Sequence, residues 1–123
     1  MDEEAVRQHA QTFADAVVAG DVDRAIQELS PELRRNVGEV VALLPLPAHE
    51  ASIESIYHTG SGYTVVLRIV ADTNEDRIQT RWKDRDGAPK VVEASHLSRT
   101  ARAEPAEVAE GEAGEGPEGA GGR

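Results

Sequence analysis

The 123 residues carry a net charge of −10, with 13 Lys and Arg against 23 Asp and Glu, and contain no cysteine. These values fit one soluble domain with a solvated appendage, read as cytoplasmic because Met1-Asp2-Glu3-Glu4 is acidic where a secretory leader is basic. They exclude disulfides and thiolate chemistry, and an acidic chain lacks the basic face that nucleic-acid phosphates require. No apolar run approaches the ~18 residues of a membrane span; the longest, Val40 to Leu46, contains Pro45.

The first half reads as three helices. Asp2 is an N-cap, with Glu3 and Glu4 facing the positive end of the dipole. Val6, Ala10, Phe13 and Val17 then recur at the spacing of one helical face, and Gly20 closes the helix as a left-handed cap. Asp21 caps a second helix with the stripe Val22, Ala25, Ile26 and Leu29. Ser30-Pro31-Glu32 starts a third, along Leu33, Val37, Val40, Val41 and Leu44, with Gly38 as a weak point and Pro45 and Pro47 as the stop.

From Ala48 the period changes to two. Ile53, Ser55 and Tyr57 share one face of the first strand. After the turn Thr59-Gly60-Ser61-Gly62, Tyr63, Val65, Leu67 and Ile69 line the inner face of the second, with Val66, Arg68 and Val70 on the outer. Thr73-Asn74-Glu75-Asp76 turns the chain into a third strand, where Ile78, Thr80 and Trp82 face inward and Gln79 and Arg81 outward. Asp84-Arg85-Asp86-Gly87 is a hairpin turn. The last strand alternates Val91, Glu93, Ser95 and Leu97 with Val92, Ala94 and His96. The expected fold is α+β, with three N-terminal helices packed on a curved four-stranded antiparallel meander, a cystatin-like cone over residues 1–99.

Residues 100–123 form an acidic tail. From Ala101 onward there are six Glu against Arg102 and Arg123, and Val108 is the one bulky apolar residue. Such a segment buries too little surface to offset its ordering entropy and is expected to be disordered.

Two stretches resemble the nuclear-transport-factor-2-like superfamily, with its SnoaL-like and ketosteroid-isomerase-like cones, as a small bacterial member. Phe13-Ala14-Asp15-Ala16-Val17-Val18-Ala19-Gly20-Asp21-Val22-Asp23 is similar to its first helix ending in Ala-Gly-Asp. Arg81-Trp82-Lys83-Asp84-Arg85-Asp86-Gly87-Ala88-Pro89-Lys90-Val91-Val92 is similar to its closing hairpin. The resemblance implies a sheet curved around a long helix, often with a small-molecule pocket, and frequently a dimer paired through the sheets. In ketosteroid isomerases it further implies an oxyanion-stabilising Tyr on the first helix, where this chain has Phe13. A protonated Asp is implied before the last hairpin, where Arg81 stands. A general-base Asp is implied on a short strand after the second helix, where Arg34 to Val37 read as helical. None of the three proton carriers is matched, and no catalytic residue is assigned.

The expected pocket residues are therefore Phe13, Tyr57, Leu67, Trp82 and His96, walls and polar anchors for a small apolar ligand. The expected dimer surface is the outer sheet face, with Val66, Val70 and Val92 (joined by Ala94) as an exposed apolar patch and Arg68 and Arg81 at its rim. His9, His49, His58 and His96 have no metal-ligand spacing, so no metal or other cofactor is expected. The functional expectation is a non-catalytic domain that forms a homodimer and binds a small apolar ligand or a protein partner. The alternative is a cyclase, isomerase or dehydratase using other residues, such as His96 as base.

Overall fold

The computed structural model of the chain describes residues 1–101, so the expected tail lies almost wholly outside the described residues. Helix α1 (Glu3–Ala19) forms as its caps dictate. Asp2 accepts from the Ala5 N–H at 2.9 Å, and Gly20, at φ 73°, turns its own N–H back onto the Ala16 and Val17 carbonyls. The stripe Val6, Ala10, Phe13 and Val17 is buried. Asp21 and Ser30 cap the short helices α2 (Val22–Ile26) and α3 (Pro31–Arg34).

The expected third helix is in fact two. The Asn36 N–H bonds the Leu33 carbonyl three residues back, which closes α3, and helix α4 (Val37–Leu43) starts afresh. Between α2 and α3 the chain makes one parallel bridge, Leu29 to Val91. The Ser30 N–H bonds the Val91 carbonyl and the Val91 N–H bonds the Glu28 carbonyl, each at 2.8 Å. A remnant of strand thus stands just before α3, where the sequence suggested only helix.

The strands β1 (Ala48–Thr59), β2 (Gly62–Ala71), β3 (Asn74–Arg85) and β4 (Ala88–Ala101) form one antiparallel meander in that order. Asp86 and Gly87, at φ 58° and 87°, make the β3–β4 turn, the two-residue geometry that matches strand twist. β3 begins at Asn74, inside the expected turn, and β4 runs to Ala101, so the expected domain boundary at 99 falls within a strand.

Cross-strand partners share a face, so the register sorts the side chains. Leu67 pairs Ile78, Val65 pairs Thr80, and Tyr63 pairs Trp82 on the concave side, under the helices. Val66 pairs Gln79, Arg68 pairs Arg77, and Thr64 pairs Arg81 on the outer side. Register shifts at Ile53/Ser55 in β1, and in the β3–β4 ladder at Arg77/Ile78 and Arg81/Trp82, add the bends and extra twist that curve a sheet. No described helix is long and apolar enough to cross a membrane.

Candidate functional site

Three places in the fold hold the residues singled out from sequence. The first is the concave interior. Phe13, Leu67 and Trp82 meet there in one core with Val6, Leu29, Ile78 and Val91, and Leu67 and Trp82 are fully buried. The indole Nε1 donates to Thr80 Oγ1, and that hydroxyl donates to the Val65 carbonyl, both at 2.8 Å, so the two buried side-chain polar groups satisfy each other. The apolar gap left among Phe13, Val17, Leu29, Val40 and Leu44 holds about 40 Å³. Small-molecule sites usually offer about 300–1,000 Å³. Of the five expected pocket residues only Phe13 borders this gap, and no strand contributes to its wall.

Tyr57 is not a pocket residue. The register shift after Ile53 inserts one extra residue, so Ile53 and Ile56 both face inward, opposite Leu67 and Val65. Tyr57 is displaced to the outer face opposite Thr64, where it is 45% exposed.

The second place is the far end of the concave face, where His96 proves to be part of a cluster. Asp76 is buried without exposure. His96 Nε2 lies 2.9 Å from its Oδ2, and Arg99 donates from Nε to both carboxylate oxygens at 3.1 Å and from Nη2 to Oδ2 at 2.9 Å. Burial alone would raise the Asp76 pKa; the hydrogen bonds and charges of Arg99 and His96 outweigh it and hold the carboxyl below its ordinary value. Sequence reasoning placed Asp76 in a turn. The missed signal was parity: once the strand is extended back to Asn74, Asp76 falls in line with inward Ile78, Thr80 and Trp82.

A group whose folded pKa is depressed stabilises the fold above its unfolded pKa of about 3.9, and that contribution is lost as pH falls through the folded value. Asp76→Asn should therefore lower Tm at pH 7 by roughly 5–10 °C, since it leaves Arg99 short of its partner. It should also flatten the fall of Tm between about pH 5 and pH 3 relative to the wild type. Parallel Tm–pH curves for the two proteins would show that Asp76 is not the group responsible.

The third place is the outer sheet face. Val66 and Val70 lie there as expected, but they are 9% and 6% exposed. The expected open apolar patch is corrected to a covered one. Arg68 reaches across to Glu75 at 2.9 Å and Glu50 at 3.4 Å, and Arg77 to Glu54 at 2.7 Å, and the aliphatic stems of such arginines shield what lies below them. Val92 is the extra residue where Val91 pairs Trp82 and Glu93 pairs Arg81, and the same shift turns Ala94 inward, opposite Thr80. Arg81 also faces outward, so a side chain at that position does not reach the cone interior.

Among the described residues no three His, Asp or Glu side chains converge as metal ligands. His9 pairs with Glu28 at 2.7 Å, His49 with Asp72, and His58 packs edge-on against Tyr63 with ring centroids 5.0 Å apart.

No family model matches the sequence, and no curated protein matches it. Solved structures do. An NTF-2-like protein of unknown function from Burkholderia xenovorans LB400 superposes with a TM-score of 0.55 at 18% identity, over 77% of this chain and 83% of that one. A proposed ketosteroid isomerase from Kribbella flavida DSM 17836 superposes with a TM-score of 0.51 at 12% identity, over 77% of this chain and 79% of that one. At these identities the likeness speaks for architecture alone, and it agrees with the helices-then-meander order and the curved sheet built above. The chain has the nuclear-transport-factor-2-like fold.

Proposed function

We propose that the chain is a non-catalytic interaction module that pairs with a second copy of itself through the outer face of its sheet. The observation that carries this reading is the filled cone: Trp82, Leu67 and Phe13 occupy the space that a substrate would need, and the gap beside them holds about 40 Å³. With the interior closed, the broadest regular surface left to do work is the outer sheet face. It presents exposed Tyr57 and a floor of Thr64, Val66 and Val70 between charged side chains of both signs. A mixed-charge face with an apolar floor suits a self-complementary contact, in which a two-fold axis lays each group on a different one.

Multi-angle light scattering at micromolar concentration tests it. The wild type should have twice the 13.2 kDa chain mass. Val66→Glu puts a carboxylate into the apolar floor of the contact and should give monomers. Tyr57→Glu, at an exposed position that the monomer does not need for folding, should weaken the pair in the same direction. A wild-type mass of one chain ends the reading, as does a dimer indifferent to both variants.

A further inference from the structure

The register lays the outer face out as rows that cross the strands, and charge is spread unevenly along them. In the row nearest the β1–β2 and β3–β4 turns, Lys83 stands opposite Lys90, with Gly62 beside it on β2. The next row holds Tyr57, Thr64, Arg81 and Glu93. Among the described residues Arg81, Lys83 and Lys90 form no ion pair, and Lys90 donates instead to the Gln27 carbonyl at 2.7 Å. At this end three cations stand against one carboxylate. At the other end of the strands Arg68 and Arg77 are outnumbered by Glu50, Glu54 and Glu75, which engage them. Between the ends lies the neutral row Ser55, Val66, Gln79 and Ser95. The face is therefore polarised along its strands, positive at the turns and negative at the opposite end.

We infer that the two-fold axis of the dimer lies in the plane between the two sheets and runs across the strands over the Val66 row, so that the positive end of each face covers the negative end of the other. This rests on the outer-face reading above and fixes the orientation that it leaves open. An axis in that plane turns one outer face onto the other. When it crosses the strands, each strand lies over its own copy with its direction reversed. Lys83 then lies over Glu75 of the second copy, each two rows from the axis on β3, and Tyr57 lies over Ser52 of the second copy, each one row from it on β1. Arg81 falls over Arg77 of the second copy, whose charge Glu54 and Glu75 already offset. Each contact is made twice, and Val66 stays beside the axis. An axis along the strands would instead lay every row over itself, and the Lys83–Lys90 row would meet its own copy. Like charges facing each other disfavour that pairing, and complementary charge of this kind sets orientation more than raw affinity. Stacked sheets with strand directions aligned to within about 30° are an ordinary packing, which the antiparallel overlay satisfies.

The chain has no cysteine, so single introduced thiols report the axis. Ser55 and Ser95 are exposed at the two ends of the middle row, on the edge strands β1 and β4, and replacing Ser by Cys changes one atom. With the axis across the strands each position faces itself. Ser55→Cys alone and Ser95→Cys alone should each be joined into a covalent dimer by a bismaleimide with an arm of about 10 Å, the spacing of stacked sheets. With the axis along the strands neither variant would link alone, and only their mixture would. Lys83→Glu should raise the concentration at which light scattering reports half dimer by about tenfold, and added salt should weaken the wild-type dimer. Cross-linking in the mixture only, or a dimer that tightens with salt, shows like charges facing each other and overturns this inference while the outer-face reading stands. The absence of any cross-link, with Val66→Glu still breaking the dimer, has the same meaning. A dimer that neither cross-links nor responds to Val66→Glu and Tyr57→Glu, or a monomeric wild type, overturns both.

Discussion

Gly62→Ala should be the most damaging single-methyl substitution in the chain, at roughly 3 kcal/mol or more. A Cβ built on Gly62 would lie 2.2 Å from the Trp82 carbonyl oxygen and 3.0 Å from Lys83 Cγ. The first is a contact with the backbone of the central strand pair, so a rotamer change cannot relieve it; β2 and β3 would have to part where Tyr63 pairs Trp82. The backbone at Gly62 has no left-handed strain, so what is required there is space. Gly60, two residues earlier, is the opposite case. It has φ 59° and only Arg81 Nη2 at 4.0 Å. Gly60→Ala should cost about 1 kcal/mol of conformational strain and disturb no packing. Urea unfolding of the two variants makes the comparison. A Gly62→Ala cost at or below that of Gly60→Ala would show that the strands give way easily at that point.

The sequence reads Thr59-Gly60-Ser61-Gly62 as one turn and cannot tell its glycines apart, whereas only Gly60 and Ser61 turn and Gly62 already opens β2; that difference marks the general boundary of what the sequence discloses here. Features decided within about four residues were legible. Asp2, Gly20, Asp21 and Ser30-Pro31 cap the helices that they were expected to cap, because a cap is a local hydrogen bond between a side chain and the next turn. Alternation along β2 was legible for the same reason. What failed was decided by a partner strand. The extra residue after Ile53 exists only relative to β2, and it moved Tyr57 from the expected pocket to the outer face. The shift at Arg81/Trp82 exists only relative to β3, and it turned Ala94 inward. Asp76 was hidden because Asn, Glu and Asp in succession look like a solvated turn, whereas Arg99 and His96, twenty and more residues later, give the carboxylate a reason to be buried. Sequence also identified Val66 and Val70 as outward without showing that Arg68 and Arg77 are drawn across that face by three glutamates from β1 and β3.

Trp82→Ala should cost about 3–5 kcal/mol, a large part of the roughly 5–15 kcal/mol that holds a domain of this size folded. Trp82 is the largest fully buried side chain in the described core, in one cluster with Phe13, Leu29 and Val91, so its removal leaves a cavity bordered by helix and sheet together. The hydrogen-bond chain beneath it yields a sharper test than the cavity does. Thr80→Val keeps the volume and the β-branched shape but strands the indole N–H in the core, and an unsatisfied buried donor costs about 1–3 kcal/mol. Trp82→Phe removes that donor and makes a smaller cavity. Its loss is mainly packing, because Thr80 Oγ1 can still donate to the Val65 carbonyl. Combining Thr80→Val with Trp82→Phe should therefore cost clearly less than the two single losses added together, since in the double variant no indole donor is left without an acceptor. Equilibrium unfolding of the four proteins closes the cycle. Strict additivity would mean that the Trp82–Thr80 bond contributes nothing, and that the tryptophan stabilises this cone by its bulk alone.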